Sequence, residues 1–328
     1  MSFEPVRVAS MGLGRWANVL ADAALRGGNI KLVSCFSRTA EKRASFMERY
    51  GTREAESFEA LLNDDEVEAV IVTTPNFNHM EHIEAVSAAG KHVYCEKPIA
   101  HNLEHAKKIV EAVEKAGTRL AIGHSARRLA VSRRLKELID SGEIGDISMS
   151  ESNFCTERGL ELNPDMWRSD AKLNPTGVAI QLSIHHIDTF RYWFGNPERI
   201  FCSTRTDPRT DFPHTDGIAS YILEYKNGLR IIAIDDTWTG PAREGAPADI
   251  GIQWRIEGLD GLAIGDIGWG HDPYTTPSSI RYATKGDKEF HTPRWEESWF
   301  PDAFIGTMAQ LLIALETDEP PAIDGRDN

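Results

Sequence analysis

Short apolar runs alternate with amphipathic stretches through the first 122 residues. Residues 6–11, 31–36, 68–73, 92–95 and 119–123 read as strands, the third with an Ala69-Val70-Ile71-Val72 core. Between them, apolar positions fall at helical spacing. Residues 14–27 offer Trp16, Leu20, Ala23 and Ala24 for one buried face. Residues 39–50 form a second helix, with Thr39 as N-cap and Gly51 just beyond its end. A third opens at Asn78, with Glu81 three positions on in the capping-box arrangement, and ends at Gly90. A fourth opens at Asn102, spaces Leu103, Ala106, Ile109, Val110 and Val113 three and four apart, and closes at Gly117. Repeated βα units with apolar strand cores predict a parallel sheet covered on both faces.

The pattern changes after Gly123. Residues 127–141 form a basic amphipathic helix and residues 178–194 another. Residues 198–290 read as strands, with hairpin dipeptides at Asn227-Gly228 and Asp260-Gly261. Residues 301–317 read as a final helix. The fold class is therefore α/β. A doubly wound parallel domain (residues 1–122) is followed by an α+β domain (residues 123–328) with an open, largely antiparallel sheet.

Composition narrows the function. A chain of 328 residues suits two domains, and 41% hydrophobic content supplies two cores. Fifty acidic against 36 basic side chains give a net charge of −14, which disfavours nucleic acid or an anionic membrane as partner. A local basic pocket for a small phosphorylated ligand stays compatible with it. No apolar run approaches the ~20 residues that span a bilayer. The start, Met1-Ser2-Phe3-Glu4-Pro5, lacks a basic n-region and an apolar h-region. Cys35, Cys95, Cys155 and Cys202 form no CxxC pair and read as free thiols of a reducing, cytoplasmic setting.

Gly12-Leu13-Gly14-Arg15-Trp16-Ala17 follows the first strand and matches G-x-G-x-x-G/A. Gly12 permits the tight turn, Gly14 lets backbone approach a pyrophosphate, and Ala17 lets helix and strand pack closely, as in a Rossmann domain. The second strand ends at Phe36-Ser37-Arg38, without the Asp or Glu that holds a ribose 2′-hydroxyl in NAD sites. Ser37, Arg38 and Lys42 suit a 2′-phosphate instead. Arg38 could equally stack on adenine. The cofactor is NAD or NADP, with a lean to NADP.

Two further stretches are Thr73-Thr74-Pro75-Asn76-Phe77-Asn78-His79 and Gly90-Lys91-His92-Val93-Tyr94-Cys95-Glu96-Lys97-Pro98. In these the chain resembles the Gfo/Idh/MocA oxidoreductases, the group of glucose-fructose oxidoreductase and inositol dehydrogenase, over nearly its whole length. The resemblance implies that Thr74, Pro75, Asn76, His79, Glu96 and Lys97 join Gly12, Leu13, Gly14, Arg15, Trp16, Ser37 and Arg38 around the cofactor. It also implies a cis bond before Pro98. Lys97, at the carboxyl end of a parallel strand, faces the crevice where such sheets bind ligands. Partial desolvation there should lower its ammonium pKa, fitting it for proton transfer to or from a substrate hydroxyl.

In the second domain, Gly177-Val178-Ala179-Ile180-Gln181-Leu182-Ser183-Ile184-His185-His186-Ile187-Asp188 is similar to the family pattern G-G-G-x-L-x-D-x-G-x-H-x-x-D. His185 falls on the family His, while Gln181 and Ser183 replace its Asp and Gly. If helical, Gln181, His185 and Asp188 form one stripe. Gln181 can bind a hydroxyl but cannot titrate, so a proton relay runs through Lys97 and His185. Asp188 supports His185 or caps local structure. Metal binding by His185 and His186 is disfavoured, because they lie about 100° apart around a helix. His124 and Arg127 are floor contacts, and Trp167-Arg168 a substrate contact. Trp238, Trp254, Trp269, Trp295 and Trp299 mainly pack the sheet core or an interface.

The resemblance implies a sugar or polyol substrate. The leading version oxidises an aldose at its anomeric carbon to a lactone, with D-apiose as the specific candidate. The chain would form a homodimer or homotetramer through the C-terminal sheet. Other readings are a ketose or anhydrosugar reductase, an inositol-type polyol dehydrogenase, a non-catalytic NAD(P)-binding regulator and, least favoured by the second half, a methyltransferase. Family members usually continue into one more helix beyond the point where this sequence ends.

Overall fold

The computed structural model describes residues 4–206, 215–237, 250–268, 270–271, 274–275 and 277–328. It divides into two compact units, Met1–Ser125 with Pro301–Asn328, and Ala126–Phe300. In the first, β1 (Val6–Met11), α1 (Arg15–Gly27), β2 (Ile30–Phe36), α2 (Ala40–Tyr50), β3 (Arg53–Glu54), α3 (Phe58–Leu62), β4 (Ala69–Val72), α4 (His79–Ala88), β5 (His92–Cys95), α5 (Leu103–Ala116) and β6 (Leu120–Ile122) follow in order. The sheet runs β3-β2-β1-β4-β5-β6 with every pair parallel. All four residues of β4 are buried, which is why that run carries no polar alternation. Strand order reverses between β1 and β4, the switch point where such sheets open a crevice at their carboxyl edge.

The second unit holds α6 (Ala130–Asp140), β7 (Ile147–Cys155), α7 (Ile184–Phe194), β8 (Arg199–Arg205), β9 (Ile218–Glu224), β10 (Arg230–Asp236), β11 (Gly251–Gly258), β12 (Gly261–Gly268), the two-residue β13 (Gly270–His271) and β14 (Tyr274–Thr275), and β15 (Ser279–Thr284). Its main sheet runs β15-β12-β11-β7-β10-β9-β8, antiparallel except for β7 with β10. Both hairpin dipeptides sit at turns, and Gly228 has φ 96°. The central β7 escapes sequence reading. Ile-Ser-Met-Ser-Glu-Ser-Asn-Phe-Cys is too polar to look like a sheet centre. It is tolerated because Glu151 faces the open side of the sheet, while Phe154 is buried within 5.8 Å of the Trp299 ring. Trp254 and Trp299 are core, Trp295 is half-buried, and Trp238 and Trp269 lie outside the described residues.

The last helix, α8 (Asp302–Thr317), belongs to the first unit rather than to the second domain in which the sequence division placed it. It packs on α1, where Phe304 lies 6.0 Å from Trp16, and on β5, where Thr307 and Tyr94 share a 2.7 Å hydroxyl hydrogen bond. The tail after it extends the sheet edge, with Ile122 N–H donating to Ile323 O at 2.9 Å. Trp16 is thus a half-buried contact of α8 rather than part of the core face of α1, which is Ala17, Leu20, Ala21, Ala23 and Ala24. Asn102 caps α5 as expected, its Oδ1 accepting from His105 N–H at 2.8 Å. Thr39 and Asn78 make no side-chain cap. Asn78 already has helical dihedrals, because a 3₁₀ turn over Asn76–Asn78 starts the α4 segment early and leaves no extended N-cap for a capping box.

Candidate functional site

Strand register brings the first unit's predicted residues to one edge. Met11 is level with Phe36 on one side and Val72 on the other, and Val72 with Cys95. Gly12, Ser37, Thr73 and Glu96 are therefore each the first residue past a strand end. Gly12 has φ 90°, and a Cβ there would lie 2.7 Å from Thr74 N, so glycine is required by the protein itself. Gly14 differs. Its nearest heavy atom to an added Cβ is Gly12 O at 4.0 Å, so the space beside it is open. It stands as N-cap of α1 with no side-chain cap, and the first turn of α1 carries no acid. Leu13 and Ala17 are buried, and the Arg15 guanidinium lies 5.5 Å from the Trp16 ring centroid.

The Thr73–Asn78 loop is pinned from both sides. Thr73 Oγ1 donates to Gly12 O at 2.7 Å, and Thr74 Oγ1 lies 2.9 Å from His82 Nδ1. His79 is buried with Nε2 2.8 Å from Thr74 O and Nδ1 2.9 Å from Pro98 O. It ties this loop, through Pro75, to the Glu96-Lys97-Pro98 turn, whose Lys97–Pro98 bond is cis as the resemblance implied. Burial drives the His79 imidazole down to about 4. Glu96 is buried too, and desolvation raises its carboxyl to about 7 against the opposing pull of the Lys97 charge and N–H. Asn76 Oδ1 and Glu96 Oε1 are buried without a hydrogen-bond partner among the described residues. At the tip of β2, Ser37 is half-buried and Arg38 exposed, and Arg43 holds the turn by donating to Ser37 O at 2.6 Å and to Glu54 at 2.7 Å. An open glycine at a helix N-terminus, with two orphaned polar atoms on the adjoining loops, fits a dinucleotide.

His124 is buried, with Asn328 Nδ2 donating to its Nε2 at 3.0 Å.

In the second unit, Arg127 forms a buried bidentate pair with Asp188 and stacks 5.7 Å from the Tyr192 ring centroid. Asp188 is thus the acid partner of Arg127. His185 is buried edge-on to Trp299 (5.6 Å) and Phe154 (6.2 Å). Gln181 lies in a π-helical turn, Ala179–Ser183, that precedes α7, so the continuous α-helical stripe expected through Gln181, His185 and Asp188 is interrupted. The turn starts from Gly177, at φ 49°, where a Cβ would lie 2.2 Å from Asp216 O. Gln181 and Arg168 share a small open pocket, lined also by Gly159, Glu161, Leu162, Met166, Val178 and Thr237. Trp167 lies alongside, with the Arg168 guanidinium 4.4 Å from its ring centroid.

Sequence reasoning missed Glu161 and the surroundings of His186. His186 is fully buried, with Nε2 2.5 Å from Ser152 Oγ, Nδ1 2.7 Å from Asp235 Oδ1, and the Tyr221 hydroxyl 3.0 Å from Nδ1. These partners come from β7, β9 and β10, and no spacing in the sequence signals them. Among the described residues, no group of three or more His, Cys, Asp or Glu is placed to hold a metal.

Residues 6–124 match the oxidoreductase family with an NAD-binding Rossmann fold, and residues 132–268 match the GFO/IDH/MocA C-terminal domain. The chain belongs to the Gfo/Idh/MocA oxidoreductase family. It is an enzyme of that family, with an NAD(P)-binding Rossmann domain. Glucose-6-phosphate 3-dehydrogenase of Bacillus subtilis is 32% identical over 57% of this chain and 53% of its own length. D-xylose 1-dehydrogenase [NADP(+)] of Haloarcula marismortui is 31% identical over 57% of this chain and 54% of its own. The chain thus matches about half the length of these two relatives. A solved oxidoreductase of Desulfitobacterium hafniense, described as NADPH-dependent, is 30% identical with a TM-score of 0.85, covering 99% of this chain and 92% of that one. No helix among the described residues is long and apolar enough to cross a membrane.

Proposed function

We propose that this family member is an NAD(P)-dependent dehydrogenase or reductase of sugars or polyols. Its leading activity is oxidation of an aldose at the anomeric carbon to a lactone. The observation that carries the reading is the Glu96-Lys97-Pro98 turn beyond β5, level with the Gly12 loop on the crevice edge of the sheet. The names of the sugar dehydrogenases it resembles support the substrate class. D-apiose is the specific substrate to try first.

When bound, the nicotinamide accepts or supplies the hydride. Lys97 takes the hydroxyl proton in oxidation and returns it in reduction, with His185 assisting. Glu96, partly protonated near neutrality, holds the Lys97 N–H. The Gly12–Trp16 turn with Thr74, Pro75, Asn76 and His79 binds and shapes the dinucleotide site, and Ser37 with Arg38 favours NADP. Arg168 and Gln181 bind substrate hydroxyls beside the Trp167 face, which suits sugar C–H surfaces. Arg127 and His124 form the floor. Exposed Phe201, Ile222 and Ile232, level across β8, β9 and β10, support homodimer or homotetramer assembly through the open sheet face.

An aldose and polyol panel, including D-apiose, read at the reduced-nicotinamide absorbance band, tests the reading. Wild type should turn over at least one sugar. Lys97→Ala should lose roughly 10²–10⁴-fold in kcat while retaining cofactor binding. Wild type that binds cofactor yet turns over nothing on the panel favours the non-catalytic regulator, for which Gln181 in place of an acid is the supporting feature.

A further inference from the structure

We infer that His82 joins Arg38 in an anion subsite at the adenosine end of the cofactor, selecting a ribose 2′-phosphate over a 2′-hydroxyl. This rests on the NAD(P) reading above. β2 and β4 flank β1 with their ends level, so the Ser37–Arg38 turn and the Thr73–Asn78 loop leave the sheet on either side of Gly12. An aromatic bridge spans the two. Phe36 stacks on Phe58 at 6.2 Å, and Phe58 meets the His82 ring edge-on at 5.4 Å. His82 is half-buried in the first turn of α4, with Nδ1 2.9 Å from Thr74 Oγ1. The Thr74 hydroxyl can donate to Nδ1, which leaves Nε2 to carry the ring proton. Nε2 has no hydrogen-bond partner among the described residues.

Arg38 is the second half of the argument. In this acidic chain most arginines of the first unit are matched by a carboxylate: Arg7 with Glu68, Arg26 with Asp302, Arg43 with Glu54, Arg49 with Asp22 and Arg53 with Asp64. Arg38, exposed at the tip of β2, has no ion pair among the described residues. Its charge reaches His82. Burial foremost, and then Arg38, hold the imidazole below its usual range, with Glu81 on the same helix opposing. Phe58 and Thr74, which also pack on the ring, are neutral. A half-buried imidazole beside an exposed, unmatched guanidinium is a site that an anion completes, because an anion between them pairs with Arg38 and favours the protonated ring. Glu41 is exposed on α2, and the turn itself carries no acid to bind a 2′-hydroxyl.

Calorimetric titration of wild type, His82→Gln and Arg38→Ala with 2′,5′-ADP, 5′-ADP and inorganic phosphate tests this without turnover. Wild type should bind 2′,5′-ADP more tightly than 5′-ADP. That preference should grow as pH falls from 8 to 6.5, because a bound phosphate dianion raises the His82 proton affinity. His82→Gln should cut the preference about fivefold, the scale of one partly exposed charge contact, and flatten its pH dependence. Binding of 5′-ADP should be unchanged, and inorganic phosphate should bind far more weakly than 2′,5′-ADP. A preference and pH profile that survive His82→Gln overturn the role of His82 while leaving the NADP reading intact. Equal binding of the two nucleotides by wild type overturns the NADP reading itself, and phosphate binding as tightly as 2′,5′-ADP overturns the adenosine assignment.

Discussion

The two units place their candidate groups by different physical means. In the first, backbone does the placing. Parallel register levels the strand ends, Gly12 admits only a hydrogen beside Thr74, and Ser37, Arg38, Thr74, Glu96 and Lys97 each follow a strand by one or two positions. In the second, buried side-chain networks do it. Arg127 meets Asp188 across 61 residues, and His186 meets Asp235 across 49. A backbone-set site is fixed by local spacing and tolerates surface change. A network-set site depends on distant partners and changes character when one partner changes.

Removing one partner from each kind of pair should separate the two modes most widely. Asp235→Leu leaves His186 Nδ1 without its carboxylate partner in a fully buried setting. The expected cost is about 3–5 kcal/mol in chemical denaturation. Glu54→Gln opens an ion pair with Arg43 at a half-exposed turn of the first unit, where less than about 1 kcal/mol is at stake. Equal losses would mean that the His186 network is not what holds α7 to its sheet.

The glycines make the converse test within one loop. Gly12→Ala places a Cβ in a left-handed conformation 2.7 Å from backbone. It should destabilise by about 3–4 kcal/mol in thermal or chemical unfolding. Gly14→Ala meets nothing closer than 4.0 Å and should leave stability within about 0.5 kcal/mol, while weakening dinucleotide binding more than tenfold in a fluorescence titration. If Gly14→Ala binds cofactor normally, the open space beside that glycine is not where the pyrophosphate lies.

The same contrast explains what could be read beforehand. The parallel sheet and the glycine turn follow from apolar runs and motif spacing, signals that act over a few residues, while the cis Lys97–Pro98 bond was implied by the family resemblance. β7 was invisible because one face of a sheet centre can be polar when that side stays open, so Ser148, Glu151 and Asn153 masked the pattern. The π-turn at Ala179–Ser183 was invisible because 3.6-residue periodicity cannot register one inserted residue. Asp188 and His186 found partners on other elements, which no local reading supplies. The return of α8 to the first unit rests on contacts such as Thr307 with Tyr94, 213 residues apart.

The first unit also carries two buried titrating groups that oppose each other, and their separation is the smallest effect expected. His79 has a folded pKa of about 4, below its unfolded value, so it favours the folded state at high pH and loses that contribution as pH falls from about 6.5 to 4. Glu96 has a folded pKa of about 7, above its unfolded value, so its contribution is present below about 4.5 and is lost as pH rises to about 7. Between about 4.5 and 6.5 the two slopes have opposite sign and nearly cancel. Wild type should therefore show an almost flat denaturation midpoint across that window, falling slightly toward pH 7. Glu96→Gln removes one slope, so its stability should climb with pH by roughly 2–3 kcal/mol between pH 4 and 6.5. A variant as flat as wild type would mean that the His79 imidazole, between Thr74 O and Pro98 O, keeps its proton in the fold, and that this loop is clamped by a cation rather than by a neutral ring.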